Sequence, residues 1–217
     1  GEAHTFAAPS QFLAGSTSDV AAGTELRFNA PVTWTGGTHS GSGIISVNDT
    51  GTVDGGTIDI GEVQIGGSAT MTVNGGSVIT DDFLKLTGGI FVFDGGDFTV
   101  EGGSGPSEAN QPIFNVENGA DVAVTFAWRV GETAGEFGTT NVNGTGGGNR
   151  STLRGTGGGG GADLIVGRFG NGVLSVTGGG LADFGDDFII GNDAGSDGRA
   201  TISGVGGVNR SEVLITR

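Results

Sequence analysis

Two pairs of adjacent carboxylates stand out in this 217-residue sequence, Asp81-Asp82 and Asp186-Asp187, each followed directly by a phenylalanine. Neighbouring carboxylates at a turn offer several hard oxygen ligands to a cation such as calcium. They serve equally well as solvated turn residues between two strands, and both readings stay open. Asp163 is a third acidic candidate. The run Gly158-Gly159-Gly160-Gly161-Ala162-Asp163-Leu164-Ile165-Val166 fits the nonapeptide G-G-x-G-x-D-x-U-x that binds calcium between stacked turns. Such sites need consecutive copies, and the next nine residues, Gly167 to Ser175, lack the second glycine and the aspartate. Calcium is the one cofactor for which the sequence offers ligands, and it offers them sparsely.

Nothing comparable points to catalysis. Lys85 lies close to Asp81 and Asp82, a set that a polysaccharide-cleaving site could use, yet it alternates within Leu84-Lys85-Leu86 as an outward strand residue. His4 and His39 are the only histidines; neither has a partner at ligand spacing, and both are expected on the surface. There is no cysteine, hence no thiolate nucleophile or metal ligand. Nucleophile elbows, zinc helices and phosphate-binding lysine loops are missing as well. Trp34 and Trp128 could stack on sugars, but isolated aromatics in β-proteins usually pack the core. Asn48, Asn143, Asn149 and Asn209 open glycosylation sequons, of which Asn149 and Asn209 recur at a turn. No catalytic residue is expected, and the chain is read as a non-enzyme.

The net charge of −15 makes nucleic acid and anionic membrane poor partners. No apolar run reaches the length of a spanning helix. Gly1-Glu2-Ala3 carries neither a basic nor an apolar leader, so any signal peptide is expected to have been removed already. The elements that must position the acids are strands. Thirty-three Val and Ile, 24 Thr and 13 Phe against one Lys and one Met favour β-structure over long amphipathic helices.

Internal repeats decide how those strands are arranged. Val53-Asp54-Gly55-Gly56, Val73-Asn74-Gly75-Gly76 and Phe93-Asp94-Gly95-Gly96 follow one another at 20-residue spacing. Trp128–Leu153 maps without a gap onto Phe188–Val213, 60 residues on, with Asn149-Arg150-Ser151 recurring as Asn209-Arg210-Ser211. Sixty is three times 20, so both ladders are expected to share one unit. A third echo relates Val73–Gly76 and Asp81–Leu84 to Val176–Gly179 and Asp186–Ile189.

Between the glycine doublets, stretches such as Thr57-Ile58-Asp59-Ile60 alternate with period two, as half-buried strands do. Short strands, sharp turns and a 20-residue unit predict an all-β, single-domain parallel β-solenoid, a right-handed β-helix in which equivalent residues stack. An antiparallel sandwich would carry turn signals at similar spacing, but it needs no constant step. Residues 1–45, with one glycine doublet and a strand alternating from Leu26 through Pro31 to Trp34, are read as an N-terminal cap and first coil. Residues 46–217 are read as the solenoid repeats, with loops bulging at Gly102–Pro106 and Gly157–Gly161. Ser211–Thr216 begins a further strand, so Val213, Leu214 and Ile215 are the expected assembly residues for head-to-tail self-association.

The stretch Asp163–Gly167 through Gly172–Gly180, and Phe188–Gly191 with Gly198–Gly204, resembles the glycine-rich repeats of bacterial autotransporter passenger domains and related surface proteins. The likeness covers roughly residues 44–217. It implies a secreted right-handed β-helix at the bacterial cell surface or outside the cell, structural or adhesive. The expected function is a structural subunit of an extracellular filament or surface layer. An adhesin or stalk that binds glycans or a neighbouring cell surface is the alternative, and a carbohydrate-active β-helix a remoter one.

Overall fold

The computed structural model describes residues 2–87, 89–94, 97–100, 112–125, 127–144, 150–157 and 162–215; the side chains of residues 81–87, 97, 98 and 100 lie outside that description. Among the described residues the chain is all-β, without a helix, and its strands lie in parallel sheets. One sheet has eleven strands, a second nine and a third three. Val205–Gly206 and Asn209–Arg210 form a small antiparallel hairpin beside them. Because every pairing within the three larger sheets is parallel, the antiparallel sandwich is excluded.

The repeat explains the pairing. Val53 pairs with Val73 and Val73 with Phe93, and all three are fully buried. Apolar side chains therefore stack on their own equivalents, as the 20-residue ladder predicts. The polar member of each repeat stacks too: the Asn74 Nδ2 amide donates to Asp54 Oδ1 at 2.8 Å. The second glycine of the first two doublets sits in the left-handed region, with φ of 87° at Gly56 and 80° at Gly76. There an L side chain would be strained, and a Cβ on Gly76 would also press on the Gly55–Gly56 backbone of the preceding step.

Long strands tie the two halves of the largest sheet together. Thr38–Val47, Thr57–Gly66 and Ser77–Thr87 each pass through a register shift. Their second halves pair back towards Glu25–Phe28 and Ala3–Phe6, whereas the first half of Ser77–Thr87 pairs onward with Asp97–Val100. The nine-stranded sheet runs from Ser10–Phe12 to Asp197–Ser203. Trp128–Val130, Leu164–Val166 and Phe188–Ile190 make the third sheet.

Two expectations change. The 60-residue offset does relate equivalent positions, but it spans two strand steps and not three. Val142 pairs with Val176, and Val176 with Ile202. The longer corners between these strands absorb the extra residues, so the step is 20 only in the earlier part of the chain. The alternating run from Leu26 to Trp34 is also two strands. Glu25–Phe28 belongs to the largest sheet and Val32–Trp34 to the nine-stranded one, with exposed Pro31 between them. Phe28 and Trp34 both still point into the core, which is why the alternation runs unbroken through the bend. The run Gly102–Pro106 and most of Gly157–Gly161 lie outside the described residues.

Aromatic rings fill two parts of the core. Phe6 stacks on Phe28 at 4.8 Å and Phe12 on Trp34 at 5.8 Å. Farther along, Phe91 lies 5.9 Å from Phe114, and Phe114 lies 4.6 Å from Trp128. Both tryptophans are core residues, and the Trp128 indole N–H donates to Thr140 Oγ1 at 3.0 Å. Burial of each such ring contributes on the order of 2–3 kcal/mol, so this spine outweighs any surface pairing in the chain.

Candidate functional site

The parallel register brings three of the five acidic candidates together. Leu164 pairs with Phe188, so Asp163 and Asp187 lie side by side where the two strands begin. Carboxylate oxygens of Asp163, Asp186 and Asp187 all lie within 4.8 Å of one another, and the three residues are half-buried. Backbone bonds fix this corner: the Trp128 N–H donates to the Asp163 carbonyl and the Leu164 N–H to the Asp187 carbonyl, both at 2.8 Å. Asp163 Oδ1 also accepts the Asp187 backbone N–H at 3.0 Å. One oxygen of the group therefore caps a strand end, and the rest are oxygen ligands of the kind a hard cation takes.

Asp81 and Asp82 fall at the register shift between Thr80 and Phe83, a bend within the strand Ser77–Thr87. Both acidic pairs thus mark a place where one strand segment gives way to the next. The side chains of Asp81, Asp82 and Lys85 lie outside the described residues, as does Gly158–Gly161 of the nonapeptide.

The assembly residues separate by strand phase. Val213 and Ile215, in the strand Glu212–Ile215, pack partly against the core, whereas Leu214 points outward and is 48% exposed. Similar apolar exposure lies on the strands Phe188–Ile190 and Asp197–Ser203: Ile190 is 44% and Ile202 46% exposed. Their equivalents in earlier steps, Val130 and Val166, and Val142 and Val176, are fully buried. The 60-residue alignment already pairs Val130 with Ile190 and Val142 with Ile202. What it cannot show is that the earlier members pair with a further strand whereas, among the described residues, the later ones pair with none.

A polar device missed in the sequence lies in the recurring Asn-Arg-Ser. Ser151 Oγ donates to the Asn143 carbonyl at 2.6 Å and accepts the Gly119 N–H at 3.0 Å. Ser211 repeats this with the Ser203 carbonyl and the Gly179 N–H. Arg150 reaches across to the Gly179 and Arg210 carbonyls and to Glu212. The recurring Arg and Ser form a corner clamp; Asn149 lies outside the described residues.

The histidines also divide. His4 is exposed as expected. His39, expected on the surface, is only 2% exposed, because Ser18 and Ile58 flank it on an inward-facing row of the largest sheet. Elsewhere, a depression lined by Glu2, Ala3, Gly23, Thr24, Glu25 and Ile44 opens beside the first strands. Its Glu25 carboxyl is held below the ordinary range chiefly by its hydrogen bond with Arg27.

Comparison with known proteins finds no family model that matches this chain, no similar curated protein and no similar solved structure.

Proposed function

We propose that this chain is a parallel β-solenoid serving as a structural subunit of a filament or surface layer outside a bacterial cell, and that copies join end to end. The observation that carries the reading is the contrast between Ile190 and Ile202, about half exposed, and their buried equivalents one and two steps earlier. An apolar position that is buried at the preceding steps and half exposed at the last described one invites one more strand. In the solenoid reading, the three-stranded sheet continues the face that begins with Ala3–Phe6. A second copy would then lay Ala3–Phe6 on Phe188–Ile190 and Ser10–Phe12 on Asp197–Ser203. Phe12 would come over Ile202, and Thr17–Asp19 would cover Glu212–Ile215 with Val213, Leu214 and Ile215. Such a contact is heterologous and does not close, so it makes rods. On this reading the chain has no catalytic role.

Sedimentation and negative-stain microscopy across a concentration series test it. Rods that lengthen with concentration are expected, and more of them at higher salt, because screening relieves repulsion between copies carrying −15 each. The Ile190→Lys, Ile202→Lys double variant should stay monomeric. A uniform population of monomers at about millimolar concentration and high salt would end the proposal.

A further inference from the structure

His39 is a buried titratable ring that end-to-end growth does not use. It belongs to the strand Thr38–Val47 and pairs with Ser18 of the short strand Thr17–Asp19. Among the described residues that short strand pairs with Thr38–Val47 alone, off the main order of the sheet. Two backbone bonds flank the pairing, from the Thr38 N–H to the Ser16 carbonyl and from the Val20 N–H to the Ser40 carbonyl. The side-chain tie is the 2.8 Å bond between Ser18 Oγ and His39 Nδ1. Phe12 stands edge-on to the imidazole, with ring centres 4.7 Å apart. Nε2 is buried and makes no hydrogen bond among the described residues. The Gly36 carbonyl lies near enough to favour a proton on the ring, but outside hydrogen-bonding geometry.

We propose that His39 is an acid-sensitive latch: its neutral ring fastens the edge strand Thr17–Asp19 over the first half of Thr38–Val47, and its protonation releases that strand. The chemistry follows from the donor count. In the tautomer the latch requires, the neutral ring accepts the Ser18 hydroxyl proton at Nδ1 and carries its own proton on Nε2. A second proton turns Nδ1 into a donor, forces the Ser18 hydroxyl to reverse, and puts a cation where water hardly reaches.

No carboxylate stands ready to neutralise that cation. The charged groups on the strands packed here are Asp19, on Thr17–Asp19, Asp59 and Glu62, on Thr57–Gly66, and Glu25 and Arg27, on Glu25–Phe28, which align with Ile44 and Ser46 and bond to each other. Asp19 and Asp59 align with Ser40, one residue beyond His39 and so on the opposite face of the sheet; Glu62 aligns with Ile44. Ser10–Phe12 and Val32–Trp34 carry no charge, and Thr38–Val47 has no titratable side chain besides His39.

Burial accordingly holds the His39 pKa below its ordinary 6.5. For a histidine held low in the folded state, the stabilisation is complete above 6.5 and is lost as pH falls from there towards the folded value. Release bares the N–H and C=O groups of Thr38–Gly41, an edge able to accept another strand. The inference does not depend on end-to-end growth.

The test is hydrogen exchange on the intact chain at about pH 7.5 and about pH 5.5, corrected for intrinsic rates. Linkage allows up to about tenfold more opening per pH unit, so peptides covering residues 10–20 should lose about fivefold or more in protection. Those covering 113–142 should hold. The His4→Gln variant should keep this response and His39→Gln should lose it. Should His39→Gln fail to fold, NMR titration of the unaltered chain decides, with the His39 ring expected to titrate below its ordinary 6.5. Equal protection at both pH values, a response that survives His39→Gln, or a His39 ring titrating at or above 6.5 would overturn the latch.

Discussion

The stretch Val32–Asp94 and the stretch Ile113–Ser203 build the same nine-stranded sheet by different means. In the first, the chain returns to the same sheet position every 19 or 20 residues, from Trp34 to Val53 to Val73 to Phe93. In the second, the step from Val116 to Val142 takes 26 residues and that from Val142 to Val176 takes 34. The inward residues nevertheless stay in parallel register throughout. What is invariant is the stacking of buried side chains, because burial rewards register and tolerates any corner that returns the chain to it. The corners differ accordingly. Short ones rest on a positive-φ glycine and an Asx pair on the preceding step, such as Asn74 on Asp54. Long ones need side-chain anchors, which Ser151, Ser211 and Arg150 provide.

The sharpest way to break this comparison is to add one methyl group in each region. A Cβ on Gly172 would run into the Val130 carbonyl oxygen and the Gly167 N–H, both backbone groups that cannot step aside. Gly172→Ala should therefore cost about 3 kcal/mol, the upper part of the usual range for overpacking. Gly67, at a turn of the early stretch, has φ of 54° and nothing within 4 Å of the added atom. Gly67→Ala should cost about 1 kcal/mol, the conformational strain alone. Denaturant titration of both variants measures the difference; equal losses would mean that close backbone approach does not set the cost at these two glycines.

A smaller effect sharpens the account of the long corners. Ser151 is fully buried, and its removal leaves the Asn143 carbonyl and the Gly119 N–H without their partner. Ser151→Ala should cost about 2 kcal/mol, within the range for a buried group left unsatisfied. Ser211 makes the same two bonds in a more open setting, where water replaces the hydroxyl. Ser211→Ala should cost under about 1 kcal/mol. Thermal melts of the two variants separate these values, and a larger loss at Ser211 would show that bond geometry, not burial, sets the strength of the clamp.

The parts of the fold legible in the sequence are those that depend on side-chain type at fixed spacing. Val53, Val73 and Phe93 announced a parallel stack, because only stacked equivalents need like residues at a constant interval. Trp34 and Trp128 read correctly as core because isolated aromatics in β-proteins usually pack inside. Corners were harder to read. The bend at Pro31 hides inside an unbroken apolar alternation, since both flanking strands present the same phase to one core. The 60-residue offset looks like three short steps because spacing records the sum of strand and corner and not their division. For the acids, repetition of Asp-Asp before Phe located the corner, but Asp163 joined Asp186 and Asp187 only through strand register, which no local motif encodes. His39 was misread because the alternation that buries it is interrupted by Gly36, Gly37 and Gly41, leaving no periodic signal around it.

The smallest effect tests the early corners. Asn74 donates its amide to Asp54 Oδ1 at an exposed position, so the bond itself contributes little. Asn74→Asp keeps the shape, removes the donor, and sets a carboxylate directly beside that of Asp54 on the neighbouring strand. Like charges opposed across a ladder cost on the order of 0.5 kcal/mol at neutral pH. That penalty needs both groups ionised, so it should fade as acid protonates them and should shrink with added salt. The variant's melting temperature should therefore fall below that of the parent at neutral pH and approach it in acid or in high salt. A deficit that ignores both pH and salt would mean that the amide donor, rather than the avoided repulsion, is what places asparagine between Asp54 and Asp94 in the ladder.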